Sequence, residues 1–464
     1  MSHTIAQPVH SRTSLLCLAT AALLSSLGVS SANVALPTIA AAFGTGVQAT
    51  QWVVIAYLLS STAVIVLAGH LGDNYGRKRV LLSGMWLYAF ASLLCGLSGT
   101  LGLLTAARAI QGLGGAFLMA LSMALVRDTV REERMGKAMG ALGSISAIGT
   151  AAGPSIGGAL LSFFGWQSIF YTVAALAFVT AGLSQSFIMA GTNIASREKG
   201  SIDFLGVLAL VFTLGSFAGA MTIGSNHFGQ HSILALVAAV LGLVLFLLIE
   251  TRTKKPLLPL TIFQNASLSV GLALNVVVAM VMMATLVVPP FYLSAGLGLA
   301  AVQVGLVMAV GPVVSAITGF FAGQMTDRFG PSRIQQIGLI EMTIGAICLA
   351  LLPQTIGVFG YLIALVVLTP GYQLFQAANN TKTMAKTTSV NRGSISGLLN
   401  LSRNLGLITG ATLMGTLFAV SIGVPNGGAT TAQAMAHGMQ VTFLTAAGLL
   451  ALATAAVVIS QSSS

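Results

Sequence analysis

The sequence predicts an all-α polytopic membrane protein: two six-helix bundles plus an inserted two-helix hairpin, fourteen transmembrane helices in all. Three observations predict it. Hydrophobic residues make up 56% of the 464 and charged residues 6%. A soluble domain carries about 25% charged residues, so this chain could not solvate a soluble surface. The apolar residues fall in long unbroken runs, not in the short alternating segments of a membrane β-barrel. Lys and Arg sort onto one side once the runs are treated as alternating crossings. Collagen, intrinsic disorder, a disulfide scaffold and an ordinary cytosolic enzyme are excluded.

A crossing needs about 20 apolar residues. The runs that meet this are 15–35, 52–71, 80–97, 101–125, 138–163, 169–189, 204–223, 232–248, 268–293, 299–321, 334–352, 356–378, 395–420 and 439–459. Several contain Gly and Pro, which membrane helices tolerate. The run after Arg12 is long for a signal peptide and is followed by many others, so it reads as a retained first helix. Cys17, Cys95 and Cys348 all lie inside apolar runs and imply no disulfide framework.

Orientation follows from the basic residues. With the N-terminus inside, every Lys and Arg falls on the cytoplasmic side except Arg108 and Arg403, which lie within spans. The net charge of +11 is then a positive-inside bias, not a nucleic-acid footprint. One helix more or fewer would scramble this sorting for every later loop. The expectation is an inner-membrane protein with both termini cytoplasmic.

An internal repeat is visible. Gly69, Asp73 and Gly76 recur as Gly323, Asp327 and Gly330, each pair 254 residues apart. Two six-helix units would repeat after about 200 residues, and one extra hairpin accounts for the surplus. The natural insert is 204–223 with 232–248. The chain therefore divides into a tail at 1–14, a first bundle at 15–190, the hairpin with its linkers at 191–266, a second bundle at 267–460 and a tail at 461–464.

The segment Gly69-His-Leu-Gly-Asp-Asn-Tyr-Gly-Arg-Lys-Arg79 carries the strongest motif. Its glycines permit a tight turn and close helix approach. Asp73 can sit against a helix N-terminus, where the dipole favours an anion. Arg77 and Arg79 can pair with carboxylates or lipid phosphates. Such a cluster can latch one bundle to the other in one conformation, and the copy at Gly323, Asp327 and Gly330 supports that reading.

This segment resembles the signature between the second and third helices of the major facilitator superfamily. Arg108-Ala-Ile-Gln-Gly-Leu-Gly114 resembles its fourth-helix motif. Gly149-Thr-Ala-Ala-Gly-Pro-Ser-Ile-Gly-Gly158 resembles its fifth-helix motif, often called the antiporter motif. Asn33-Val-Ala-Leu-Pro37 resembles the end of the first helix in the fourteen-span drug:proton antiporter branch. The resemblance covers essentially the whole chain. It implies the major facilitator fold, proton antiport and efflux of drugs or metabolites. No P-loop is present, so work would come from an ion gradient or from the solute's own gradient; the resemblance implies the proton gradient, with no cofactor.

The residues carry physical content of their own. Gly149, Gly153, Gly157 and Gly158 set small residues at helical spacing for close packing, and Pro154 adds a kink. Arg108 lies roughly 10 Å inside its span. A charge there is costly unless paired or hydrated, which makes it a functional candidate. The resemblance associates it with proton coupling, and Gln111 is its plausible partner. A structural bond to backbone carbonyls is the plainer reading.

Two departures matter. Where the family has an acid in the first helix, this chain has Gly28, and Gly165-Trp-Gln lacks the arginine often found after the tryptophan. Among the acids, Glu341 alone lies within a span, about 12 Å in, and Arg403 lies about 16 Å in on another. A pair between them is conceivable, and Glu341 reads either as a structural ion pair or as a proton carrier. Asn33, Tyr57, Gln111, Asn275, Tyr292, Tyr372, Gln373, Gln376 and Asn380 are candidates to line a central cavity. Each alone is more often a helix–helix hydrogen bond. His227 and His231 lack a further ligand, so no metal site is expected.

The expected activity is secondary active export of small amphipathic solutes by alternating access. Arg108 without a first-helix acid favours neutral or anionic solutes over cationic ones. No nucleic acid and no obligatory protein partner are implied; the partners are solute, protons and the bilayer. An uptake carrier or uniporter on the same fold is the alternative. A membrane enzyme or receptor is remote, because no catalytic constellation gathers.

Overall fold

Backbone groups in lipid have no water to bond, so apolar runs close their hydrogen bonds internally as helix. In this computed structural model the described residues are 11–129, 132–188, 204–224, 229–253, 266–385, 392–423 and 431–462. Most of the two tails and the linkers around 191–203 and 254–265 lie outside them, as do the surroundings of Gly69 and the side chain of Asp73.

The helices run in chain order. α1 (Ser11–Phe43), α2 (Val47–Tyr75), α3 (Arg77–Gly96), α4 (Leu101–Thr129), α5 (Glu132–Phe164) and α6 (Gln167–Phe187) come first. α7 (Phe204–Gly224) and α8 (Gln230–Arg252) follow. Then come α9 (Ala266–Val287), the short α10 (Pro289–Phe291) with a π-helical turn at Tyr292–Gly296, α11 (Ala301–Phe329), α12 (Pro331–Ala385), α13 (Arg392–Ile422) and α14 (Ala432–Ser462). Among the described residues, twelve helices are long and apolar enough to cross a membrane.

α12 has 55 residues, roughly 80 Å if straight, which is far more than one crossing needs. It folds back instead. Ile356 and Gly357 leave helical geometry, with Gly357 at φ +58°. The two arms then pack antiparallel: Gly338 faces Gly371 and Phe375, and Gly345 faces Leu368. Expected separate runs at 334–352 and 356–378 thus correspond to its two arms.

The 254-residue repeat is written into the backbone. α2 and α11 each have 29 residues, and they start 254 apart. α3 and α12 start at the same offset. Gly76 at φ +93° and Gly330 at φ +86° end those helices in equivalent turns, which only glycine enters without strain. Gly44 and Gly298 precede them at φ +60° and +69°, again 254 apart. That last pair escaped the motif reading, although its spacing could have revealed it.

In the first half α1 packs on α5, α4 on α2 and α3, and α3 on α6. In the second, α9 packs on α13, and α12 packs on α11 and α14. We call the end where α1 turns into α2 the upper end and the opposite one the lower. The halves meet near the upper end. There Gly158 of α5 lies against Ala301 and Gly305 of α11. The Val302 N–H donates to Ser162 Oγ at 3.2 Å. The Gln51 side chain covers Gly415.

The α7–α8 hairpin touches both halves. Trp52 Nε1–H donates to Thr222 Oγ1 at 2.9 Å. Ala209, Leu210 and Phe246 pack with Leu401 and Leu405 of α13. On α8 the buried residues Ser232, Ala239, Gly242, Phe246 and Glu250 form one stripe. Its other faces carry exposed Leu, Ile and Val, the surface that lipid rather than protein covers.

Candidate functional site

α4 positions a buried arginine at the centre of the first half. The Arg108 side chain is fully buried. Its Nε–H donates to the Val53 carbonyl of α2 at 2.8 Å. One terminal nitrogen donates to the Gly28 carbonyl of α1 at 3.2 Å and to Gln111 Oε1 at 2.5 Å. The other terminal nitrogen has no hydrogen-bond partner among the described residues. The guanidinium lies 4.5 Å from the Tyr57 ring centroid and 5.9 Å from that of Phe170. Gln111 is held in turn, since its Nε2 donates to Ser92 Oγ at 2.7 Å. The expected Arg108–Gln111 partnership is therefore present, one helical turn apart.

Glycines let the helices close around this group. A Cβ on Gly112 would overlap the Tyr57 carbonyl oxygen, one on Gly115 the Tyr57 hydroxyl, and one on Gly114 would come within 2.8 Å of the Tyr88 nitrogen. The Tyr88 hydroxyl donates to the Leu24 carbonyl at 2.8 Å. It also fills the space beside Gly28, where a Cβ would overlap it. Ser92 and Tyr88 were not legible as site residues; from α3 they reach Gln111 and Gly28, the neighbours of the arginine, through tertiary packing.

The fifth-helix motif divides into two jobs. A Cβ on Gly149 would approach the Leu23 carbonyl oxygen at 2.8 Å, one on Gly153 would overlap Ser30 Oγ, and one on Gly157 would approach Ser31 at 3.1 Å. These three seat α5 on α1. Gly158 instead faces the other half, and Pro154 presents its carbonyl oxygen to Gly305.

The second half has its own polar contacts. Asn275 Nδ2 donates to the Leu399 carbonyl and to Ser402 Oγ, both at 2.8 Å. The Tyr292 hydroxyl donates to the Pro353 carbonyl at 3.0 Å. Gln373 bonds Ser315 of α11, and Gln376 reaches Asn380 at 3.5 Å. Tyr372, Gln373, Gln376 and Asn380 are half-buried along the second arm of α12. A cluster that motif reading missed lies nearby. Lys382 Nζ donates to Gln335 Oε1 at 3.1 Å, and Gln335 Nε2 donates to Asn379 Oδ1 at 2.8 Å.

Glu341 is half-buried on the first arm of α12, with Gly371 of the second arm against it. Arg403 is exposed on α13. The structure does not bring the two together: among the described residues no ion pair joins them. Asp327 of the second motif copy is exposed, whereas nothing is within 4 Å of a Cβ on Gly323 or Gly330. In the first copy Gly72 packs under Leu121 and Arg77, and Lys78 Nζ donates to the Gln185 carbonyl at 3.1 Å. Arg79 is exposed.

Asn33 is fully buried, and neither amide atom has a hydrogen-bond partner among the described residues. An unmet buried polar group costs about 1–3 kcal/mol. Asn33→Leu is accordingly expected to stabilise this state by about that amount, read as a higher melting temperature of the detergent-solubilised protein. A lower melting temperature would show that Asn33 makes a bond this arrangement lacks.

Two helical halves joined near one end, with a charge buried between apolar helices, define a polytopic carrier. The chain belongs to the Major Facilitator Superfamily, whose profile matches residues 18–411. It is 30% identical over 402 residues to the riboflavin transporter RibZ of Clostridioides difficile, covering 86% of each chain. It is 31% identical over 409 residues to the drug efflux pump JefA of Mycobacterium tuberculosis, covering 85% of this chain and 78% of that one. A crystal structure of a bacterial homologue of the human lysosomal transporter Spinster, in an inward-facing and occupied conformation, shares the fold. Its TM-score is 0.71 at 15% identity, over 98% of both chains. The protein is a multi-pass integral membrane transporter, not an enzyme.

Proposed function

We propose that this protein is a proton-coupled exporter of small amphipathic solutes, neutral or anionic rather than cationic, working by alternating access. The observation that carries the alternating-access part is the contact between the halves. It is made near the upper end by backbone on backbone, Gly158 against Ala301 and Gly305 against Pro154. Where glycines bring two backbones together, few side chains have to be unpicked, so two rigid bundles can rock about that contact. The drug efflux and riboflavin relatives support small amphipathic solutes. The buried, carboxylate-free surroundings of Arg108 support the charge preference.

Counting α5 and both arms of α12 gives fourteen crossings, arranged as six, two and six. The positive-inside bias assigns the lower end and both termini to the cytoplasm of a cell with an inner membrane. The upper contacts then close the outer side. The segments around Gly69, Asp73, Gly76, Arg77 and Arg79, and around Gly323, Asp327 and Gly330, latch the cytoplasmic side in the opposite state. Arg108, Glu341 and Arg403 are the groups assigned to proton coupling, with Glu341 as the carrier.

Inverted membrane vesicles with an inside-acid pH gradient test this. Adding solute is expected to release protons, and Glu341→Gln and Arg108→Ala are each expected to reduce the release at least tenfold. Solute flux down its own gradient without proton release would favour a uniporter. One observation favours that second reading: Tyr88 occupies the space beside Gly28, leaving the first helix without a proton carrier there.

A further inference from the structure

We propose that Arg108 is the seat of a single monoanionic group on the transported solute, with the rings of Tyr57 and Phe170 beside the guanidinium. The inference rests on the transport reading above and names the solute's chemistry. Every hydrogen-bond partner of the guanidinium among the described residues is neutral: the Val53 and Gly28 carbonyls and the amide oxygen of Gln111. Neutral acceptors orient a guanidinium without cancelling its charge. The second terminal nitrogen is buried and donates to nothing among the described residues. Among the described buried residues the one acid is Glu250, on α8 of the hairpin.

The fold also shuts out an internal counter-ion at the nearest backbone. The guanidinium touches the Gly28 carbonyl, so residue 28 is the natural place for a carboxylate. The Tyr88 hydroxyl lies where its Cβ would go, and the ring carbon bearing that hydroxyl is 3.2 Å from the same point. The charge is therefore left for a mobile group. Arginine's fixed fork of donors suits carboxylate or sulfonate oxygens. Burial beside the Tyr57 and Phe170 rings lowers the local dielectric, which strengthens such a contact.

The same monoanion could come with the solute or as a free halide. Equilibrium binding to the purified full-length protein separates these sources. The probes are radiolabelled naphthalene-2-sulfonate, 2-naphthylmethanol and 2-naphthyl-trimethylammonium, each in chloride and in gluconate buffer. Sulfonate is expected to bind at least about tenfold tighter than the alcohol, the scale of one charge-assisted hydrogen bond. Arg108→Gln is expected to erase that preference. Alcohol binding that needs both chloride and Arg108 would support the same seat, filled by a free anion.

A second pair guards against misfolding at Arg108. Tyr88→Ala makes room beside Gly28, and Gly28→Asp or Gly28→Asn is then added. The two double variants match in shape and differ in charge. The Asp variant is expected to lose sulfonate binding about tenfold and to gain the ammonium probe, while the Asn variant keeps the original order. Equal probe preferences in the Asp and Asn variants would overturn the proposal. So would sulfonate binding no tighter than the alcohol in both buffers, with the alcohol indifferent to chloride. Binding is read apart from flux, so saturable binding without transport would overturn the transport reading while leaving the anion seat standing.

Discussion

Gly305→Leu is expected to cut transport more than about tenfold while leaving the protein folded. A Cβ at this position would overlap the Pro154 carbonyl oxygen and lie 3.1 Å from the Gly158 Cα. Both obstacles are backbone, so no rotamer change relieves them. A leucine adds further atoms beyond that Cβ. Overpacking of this kind typically costs 1–3 kcal/mol, and here it falls on the seam between the halves. The seam parts, and the closed upper state is lost. Transport in reconstituted vesicles is expected to drop more than about tenfold, the factor that 1.4 kcal/mol produces. A cysteine at Ser162, beside that seam, is expected to label faster with a water-soluble maleimide in the Gly305→Leu background. Gly182→Leu is the control, because nothing lies within 4 Å of a Cβ there. Unchanged transport in Gly305→Leu would show that the seam is not part of the cycle.

Gly28→Ala is the second large effect expected, and it is rescuable. The added methyl overlaps the Tyr88 hydroxyl, which is held by its bond to the Leu24 carbonyl. Moving the ring away disturbs α4 behind it, since Gly114 packs on the Tyr88 backbone and Cβ. A loss of about 1–3 kcal/mol is expected, again the usual scale of overpacking. Tyr88→Phe removes the offending oxygen and leaves the ring carbon at 3.2 Å, a tight but adjustable approach. The double variant is therefore expected to be more stable than Gly28→Ala alone, a coupling that a double-mutant cycle on melting temperature reads directly. Additive losses would mean that the two residues do not share this space.

Much of the fold was legible because membrane insertion leaves few choices. Apolar runs must become helices, and their length separates one crossing from two. The run pair at 334–352 and 356–378 shows this, since α12 bends at Ile356 and Gly357 to make two arms. The repeat was legible because positive-φ turns demand glycine. Gly76 and Gly330 were found by motif, and Gly44 and Gly298 could have been found by the same offset. The site was legible where partners share one helix, as with Arg108 and Gln111. It was not legible where partners come from different helices.

The class, the helical runs, the repeat and the cost of a charge at Arg108 could all be read along the chain. Each of these depends on composition or on spacing within a single segment. Tertiary structure alone decided which groups meet. It put the Tyr88 hydroxyl beside Gly28, gave Arg108 neutral partners, and divided the fifth-helix glycines between α1 and the opposite half. It also left Glu341 and Arg403 apart. Helix–helix register has no local code: it is settled by which small residues let two backbones approach, and those choices are made jointly by both surfaces.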